Sequence, residues 1–141
     1  MIAYLDSSVV LRKLFNEPNP FIGLSQFKTL VSSALLKTEC MRVFSRLRIS
    51  ETLPQDELLI LQGNLHTLIE SLDLISVSQE ILDRAGEDFP TPLKTLDALH
   101  FATFSIYQKS VQDPVTLITH DIALARTAKA MGMAFAGVES V

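Results

Sequence analysis

The sequence predicts an α/β fold in which a parallel sheet of about four to five strands lies between two layers of helices, as a three-layer α/β/α sandwich. Two observations support this prediction. Short apolar runs alternate with longer segments of helical periodicity along the whole chain. No repeat, low-complexity tract or linker interrupts the alternation, so residues 1–141 are predicted to form a single domain.

The first part of the chain opens with an apolar run at 2–5, which predicts the first strand. A helix is predicted over 7–16 and ends at the turn-forming sequence "NEPNP". A second, short helix is predicted over 19–27. The sequence "TLVSS" at 29–33 predicts the next strand.

The middle of the chain contains two long predicted helices, over 34–49 and 53–72, and Pro54 suits the first turn of the second. A strand over 72–78 and a short helix over 79–87 follow. The helix over 34–49 carries an apolar stripe, formed by Leu36, Cys40, Val43 and Leu47.

The last part of the chain begins with the loop "DFPTPL" and a strongly apolar helix, predicted over 95–109. The sequence "PVTLIT" predicts a strand over 114–119. A helix over 122–131 then ends at Gly132, and "MAFAG" at 133–137 predicts a terminal strand.

The composition is that of a soluble globular protein, with 48% hydrophobic and 20% charged residues. No apolar run reaches the ~18 residues that a transmembrane helix requires, so no membrane association is expected. We find no signal-peptide pattern at the N-terminus. Cys40 is the only cysteine, which excludes an internal disulfide and a cysteine-based zinc cluster. These features favour a cytoplasmic location.

The formal net charge of −4 counts mildly against a nucleic-acid partner, because proteins that bind nucleic acids are usually basic. The net charge does not exclude a nucleic-acid partner. Carboxylates that hold divalent cations add to the formal negative count, and local basic patches matter more than the sum.

Four acidic residues are predicted to meet at one edge of the sheet. In a parallel sheet with antiparallel connecting helices, strand C-termini and helix N-termini share one edge, where ligands bind. Asp6 follows the first strand and Asp121 the fourth. Glu39 and Asp97 lie in the first turns of two helices, so both are placed at the same edge.

Each acid also has a purely structural explanation, which the sequence leaves open. Asp6 and Asp121 are suitable N-cap residues for the helices that follow them. Asp97 suits the positive end of its helix dipole. Glu39 borders an apolar stripe and has Arg42 within pairing distance at i+3.

Clustered carboxylates repel one another unless a cation offsets their charge. Mg²⁺ prefers oxygen ligands, and the lack of cysteine clusters and the scarcity of histidine favour Mg²⁺ or Mn²⁺ over zinc. Such a site activates a water molecule for in-line attack on a phosphodiester. The pattern therefore indicates an acidic metal site that is able to support phosphodiester hydrolysis.

The chain resembles the PIN-domain family, and in particular the VapC-type toxins of bacterial toxin–antitoxin pairs. Four segments carry this resemblance: "YLDSSVVLRKL", "VSSALLKTECMRVF", "LKTLDALHFATF" and "LITHDIALARTAKAMG". Each segment is short and tolerant of variation alone. Their order and spacing across nearly the whole chain make the signal specific.

The resemblance implies a metal-dependent endoribonuclease, commonly a homodimer that a small antitoxin neutralises. Ser7 matches the hydroxyl residue after the first acid, and Thr119 matches the hydroxyl position two residues before the last. Ser7 either orients a ligand carboxylate or the water by a hydrogen bond or caps the first helix, and Thr119 has the same two interpretations. A cap from Ser7 or Ser8 would leave the Asp6 carboxylate free for metal. The main metal ligands are then expected to be Asp6 and Asp97, with Glu39 and Asp121 binding directly or through water. The residues that match the family's acids are Asp6, Glu39, Asp97 and Asp121.

The histidines and the cysteine have competing interpretations. His100 shares a helix face with Asp97, so it either contacts the site or is a hydrogen-bonded core histidine. His120 either meets phosphate or is an exposed loop residue. His66 is predicted to lie on the surface, and Cys40 in the core.

Partner contacts are predicted from residue type alone. Single-stranded or looped RNA is the expected substrate, since its backbone bends into a cleft. Three phenylalanines near the N-terminal helices are expected either to contact the antitoxin or to pack in the core: Phe15, Phe21 and Phe27. The candidate phosphate contacts are Arg12, Lys13, Lys37, Arg42, Arg46 and Lys94.

Other functions fit less well. A haloacid-dehalogenase-type hydrolase needs an acid two residues after its nucleophile, where this chain has Ser8. Neither a G-x-G-x-x-G nor a G-x-S-x-G motif is present, which counts against a dinucleotide site and a Ser–His–Asp hydrolase. The remaining alternative is a catalytically silent PIN-like domain that only binds a partner.

Overall fold

The computed structural model describes all residues from Met1 to Val141. Five parallel strands form one sheet, as the sequence predicts, and their order in the sheet is β3-β2-β1-β4-β5. Because every pair is parallel, all strand C-termini lie at one edge. The strands are β1 (Ile2–Leu5), β2 (Thr29–Ser33), β3 (Asp73–Ile75), β4 (Val115–Ile118) and β5 (Phe135–Ala136).

Helices cover both faces of the sheet, which gives the predicted three-layer α/β/α sandwich. Alternate residues of β1 point to opposite faces. Ala3 and Leu5 pack in the cluster with residues of α1, α2 and α3, whereas Ile2 and Tyr4 pack with residues of α5 and α6. The helices are α1 (Ser7–Leu14), α2 (Leu35–Ile49), α3 (Gln55–Glu70), α4 (Gln79–Ala85), α5 (Thr95–Ser110) and α6 (Ile122–Ala130).

The prediction of a helix over 19–27 is wrong. Only a single 3₁₀ turn forms there, at Leu24–Gln26. Asn19 adopts a left-handed φ of 57°, and Pro20 follows it. A proline disfavours the right-handed helical conformation at the residue that precedes it, which here is Asn19. The segment therefore crosses the surface as a loop.

Several element ends differ from the prediction. The strands at 72–78 and 133–137 shorten to Asp73–Ile75 and Phe135–Ala136, since both lie at the edges of the sheet and pair on one side only. Pro54 is the N-cap of α3, with a ψ of 152°, so it lies outside the first turn. The stop after α6 is confirmed: Gly132 has a φ of 67°.

Gly137 fixes the backbone beside the predicted acidic edge. It follows β5, has a φ of 105°, and leaves no room for a Cβ beside the carbonyl oxygen of Thr119. The Thr119 amide donates to the carbonyl oxygen of Ala136 at 3.0 Å. The end of β4 is thereby held tightly against β5.

No helix of the chain has the length and apolar character to cross a membrane.

Candidate active site

Asp6 is almost fully buried where β1 ends, with 2% of its surface exposed. It is itself the N-cap of α1: Oδ1 accepts from the Ser8 amide at 2.5 Å. The interpretation in which Ser7 or Ser8 caps this helix is wrong, because the free Ser8 amide donates to the Asp6 carboxylate. The Ser8 hydroxyl donates to the same oxygen at 2.5 Å.

Thr119 connects two of the acids at the end of β4. Its buried hydroxyl donates to Oδ2 of Asp6, and its oxygen accepts from the Asp121 amide at 2.9 Å. Burial raises the pKa of Asp6, although the bonds from Ser8 and Thr119 oppose this shift. The predicted hydroxyl position therefore contacts the first acid directly.

Asp121 caps α6, as its structural explanation predicts. Its Oδ1 accepts from the amides of Ala123, at 2.7 Å, and Leu124, at 3.3 Å. Its second oxygen makes no hydrogen bond within the chain. Capping and metal binding are therefore compatible here, since each uses a different oxygen.

Glu39 is held at both carboxylate oxygens. Oε1 lies 2.5 Å from Nε2 of His100, and Oε2 accepts from the Ser7 hydroxyl at 3.0 Å. The alternative pairing with Arg42 does not form, because the His100 contact is the single ion pair of the chain within 4.0 Å. Ser7 therefore donates a hydrogen bond to Glu39 and does not cap the helix.

His100 satisfies both of its predicted interpretations, since it is a buried core residue and contacts the site. It is 1% exposed, and its Nδ1 lies 2.8 Å from the Tyr4 hydroxyl. Burial alone would lower the pKa of His100, but the hydrogen bond and charge of Glu39 raise it overall. Burial raises the pKa of Tyr4 well above its usual value.

The role of Tyr4 was not predicted. Strand alternation turns its side chain toward α5, where it meets His100 and completes the chain Tyr4–His100–Glu39–Ser7. The sequence signal available was the tyrosine in an otherwise aliphatic strand, because a buried hydroxyl needs a hydrogen-bond partner.

Asp97 differs from the other three acids because its carboxylate makes no hydrogen bond within the chain. It lies in the first turn of α5 and is half-buried. Burial raises the pKa of Asp97 to about 6, and the charges of Asp121, Asp6 and Glu39 contribute in the same direction. Asp97 therefore lies close enough to the other three predicted acids for each of them to disfavour its charged form.

The oxygen-only donor set suits a hard divalent cation, and the mutual repulsion favours one. The ligands are not assembled in advance: no three His, Cys, Asp or Glu side chains are grouped so that they could hold a metal ion. Two of the acids, Asp6 and Glu39, use both oxygens in internal hydrogen bonds. Direct metal binding by either acid would therefore use lone pairs that these hydrogen bonds leave free.

The remaining predicted residues have mixed outcomes. His66 is exposed and Cys40 is buried, as predicted, and burial raises the pKa of the Cys40 thiol to about 12. His120 is not exposed: Nδ1 donates to the Gly137 carbonyl at 2.9 Å, and Nε2 is buried without a partner. Arg12 donates to the Asn19 carbonyl at 3.1 Å.

The three phenylalanines proposed as exposed contacts are half-buried and pack against the core on the α1–α3 side. The core interpretation is therefore confirmed for Phe15, Phe21 and Phe27. Ile22, which lies among them, is instead 91% exposed.

A family model described as the PIN domain matches residues 3–130. The chain belongs to the PIN-domain family. This PIN domain is 34% identical over 134 residues to Ribonuclease VapC46 of Mycobacterium tuberculosis, and the alignment covers 93% of each chain.

Two solved structures share the fold of this PIN domain. One is VapBC2 from Rickettsia felis bound to a DNA fragment from its promoter, with a TM-score of 0.68 and 16% identity over 96% of this chain and 98% of that one. The other is a toxin–antitoxin complex from Klebsiella pneumoniae, with a TM-score of 0.65 and 14% identity over 99% of both chains.

Proposed function

We propose that this PIN domain is a metal-dependent endoribonuclease and the toxin of a toxin–antitoxin pair. The similarity to Ribonuclease VapC46 over nearly the full length of both chains supports the activity. The observation that carries the proposal is the Asp97 carboxylate. It has no hydrogen-bond partner, and burial and three neighbouring acids raise its pKa to about 6.

Asp6 and Asp97 would be the main ligands of Mg²⁺ or Mn²⁺, with Glu39 and Asp121 binding directly or through water. The Asp97 carboxylate and one oxygen of Asp121 are free of hydrogen bonds within the chain. When bound, the cation would lower the pKa of a water molecule and offset charge on the leaving oxygen of an RNA phosphodiester. No protein nucleophile is needed.

The chain's own residues position the acids. Thr119 and Ser8 fix the plane of the Asp6 carboxylate from opposite oxygens. Ser7 and His100 do the same for Glu39. Because these donors come from different parts of the fold, the acidic edge keeps its arrangement while RNA binds.

The proposed partners follow from the relatives. A small antitoxin is proposed to neutralise the protein, and the solved toxin–antitoxin complexes with the same fold support this. The expected substrate is single-stranded or looped RNA. A homodimer and a cytoplasmic location complete the proposal.

A catalytically silent PIN domain that only binds RNA or protein is the second candidate. The observation that favours it is the absence of an assembled group of three metal-binding side chains. The internal hydrogen bonds of Asp6 and Glu39 point in the same direction.

A cleavage assay on a pool of cellular RNA separates the two candidates. The wild-type protein is expected to cleave RNA with Mg²⁺ or Mn²⁺, and EDTA should stop the reaction. Asp6→Asn and Asp97→Asn should abolish cleavage while circular dichroism shows an intact fold. If both asparagine variants cut RNA as fast as the wild type, the assignment of the site is wrong.

A further inference from the structure

A groove between α2 and α3 carries charge opposite to that of the acidic edge. Its volume is about 400 Å³, and ten residues line it. Three of them, Lys37, Arg42 and Arg48, are cationic, and none is acidic. The other polar lining groups are hydroxyls and amides, from Thr38, Ser45, Gln55 and Gln62.

The cations of this groove have no ion-pair partners within the chain. No lysine or arginine side chain forms an ion pair within 4.0 Å, since the single pair joins His100 and Glu39. Glu39 is the one acidic residue of α2, and it faces His100. No ion pair within the chain therefore neutralises the cations of the groove, although the whole chain has a net charge of −4.

The cations of the groove are distributed along the length of α2. Lys37 lies in the first turn of α2, at the sheet edge that holds the four acids, and Arg48 lies in the last turn. The two are eleven residues apart, which corresponds to ~16 Å along a helix. The cations therefore line the groove at successive heights along α2, starting at the acidic edge.

We propose that the α2–α3 groove binds the phosphate backbone of single-stranded RNA, so that the substrate runs along α2 after it leaves the acidic edge. This inference rests on the proposed ribonuclease function. Lys37, Arg42 and Arg48 contact phosphates, and the glutamines and hydroxyls donate to phosphate or sugar oxygens. Phe44, the aromatic residue of the groove, is buried and unavailable for stacking, so binding is independent of base sequence.

RNA fits the groove better than an acidic peptide does, because the cations of the groove begin at the edge where the proposed catalytic acids lie. A chain that crosses the acidic edge needs its negative charge offset beside that edge. The cations along α2 offset the negative charge of an extended polyanion over the length of the helix.

The test measures binding of a fluorescently labelled, mixed-sequence single-stranded RNA by anisotropy, in EDTA so that no cleavage occurs. Arg42→Glu and Arg48→Glu are each expected to raise the Kd about tenfold and to lower the slope of log K against log salt by about 1. Arg126→Glu, which makes the same charge change at an exposed arginine of α6, is the control and should change the Kd less than about twofold.

Three outcomes overturn the inference. The first is a Kd for the groove variants that matches the control, and the second is a Kd that depends strongly on base sequence. The third is that an acidic peptide binds the groove and leaves RNA binding unchanged. Thermal melts verify that each variant folds, and Arg42→Gln and Arg48→Gln serve as milder changes.

A parallel cleavage assay with Mg²⁺ keeps the two proposals apart. If the wild type cuts RNA but the groove variants bind it normally, the proposed RNA-binding role of the groove is wrong and the proposed ribonuclease activity is supported. If the groove variants lose RNA binding while the wild type cuts no RNA, the RNA-binding role of the groove is supported and the proposed ribonuclease activity is wrong.

Discussion

Nε2 of His100 lies 2.5 Å from Oε1 of Glu39, and this contact joins α5 to α2 across 61 residues of sequence. The Tyr4 hydroxyl supports the other ring nitrogen from the central strand of the sheet. The orientation of one predicted acid is therefore set by residues of two other elements.

Replacement of His100 by alanine should destabilise the fold and misplace Glu39. The change removes the His100 partner of Glu39 Oε1 and of the buried Tyr4 hydroxyl, while Ser7 still donates to Oε2, and this costs about 2–3 kcal/mol. Urea unfolding measures the loss of stability, and the RNA cleavage rate reports on Glu39. His66→Ala, at an exposed position of α3, is the control, and an equal effect of both variants would contradict a positioning role for His100.

Asp97→Asn should stabilise the metal-free protein at neutral pH. In the folded chain the pKa of Asp97 is raised from 3.8 to about 6, so its protonated form stabilises the fold below pH 4. That contribution is lost as the pH rises through 6. Since the side chain is half-exposed and screened, we expect the variant to gain about 1 kcal/mol at pH 7.5.

The gain from Asp97→Asn should disappear at pH 3.5, where the wild-type carboxyl is protonated as well. Melts in EDTA at the two pH values measure this. A variant that is less stable than the wild type at pH 7.5 would show that the carboxylate serves the helix dipole of α5 instead.

Mg²⁺ or Mn²⁺ should raise the melting temperature of the wild type, because an ion that binds only the folded state adds stability, about 2.7 kcal/mol at 100 times its Kd. The effect should be much smaller for Asp97→Asn. Asp113→Asn, at an exposed acid just before β4 and at the opposite end of that strand, should respond like the wild type. Equal responses of all three proteins would argue against the acidic edge as the metal site.

Gly137→Ala should destabilise the protein by more than about 2 kcal/mol, since its φ of 105° suits glycine and a Cβ would collide with the Thr119 carbonyl. It should also impair cleavage, because Thr119 holds Asp6. Gly63→Ala is the matched control. A Cβ at that position of α3 would meet no atom within 4 Å, so alanine should stabilise the helix by about 0.5–1 kcal/mol. Two changes of the same sign would contradict this reasoning.

Much of the fold was predictable from local pattern. β1 and β2 have the predicted bounds, and the sheet is parallel with five strands. The helix predicted over 19–27 failed because Asn19 and Pro20 adopt a turn that a count of apolar residues does not detect.

The position of the candidate site in the fold was predictable from the sequence, but the hydrogen bonds between its side chains were not. The order of strands and helices alone puts Asp6, Glu39, Asp97 and Asp121 at one edge, because the C-termini of parallel strands share it. Which oxygen of Asp6 caps α1 and which accepts from Thr119 depends on how β4 packs beside β1.

The sequence by itself thus determined the layers, the parallel direction of the strands and the edge where the acids gather, since these follow from short-range periodicity and chain connectivity. The tertiary structure alone decided the Tyr4–His100–Glu39 contacts, the free carboxylate of Asp97 and the cationic groove beside α2. These depend on side chains from elements far apart in sequence, whose meeting is fixed only when the helices pack against the sheet.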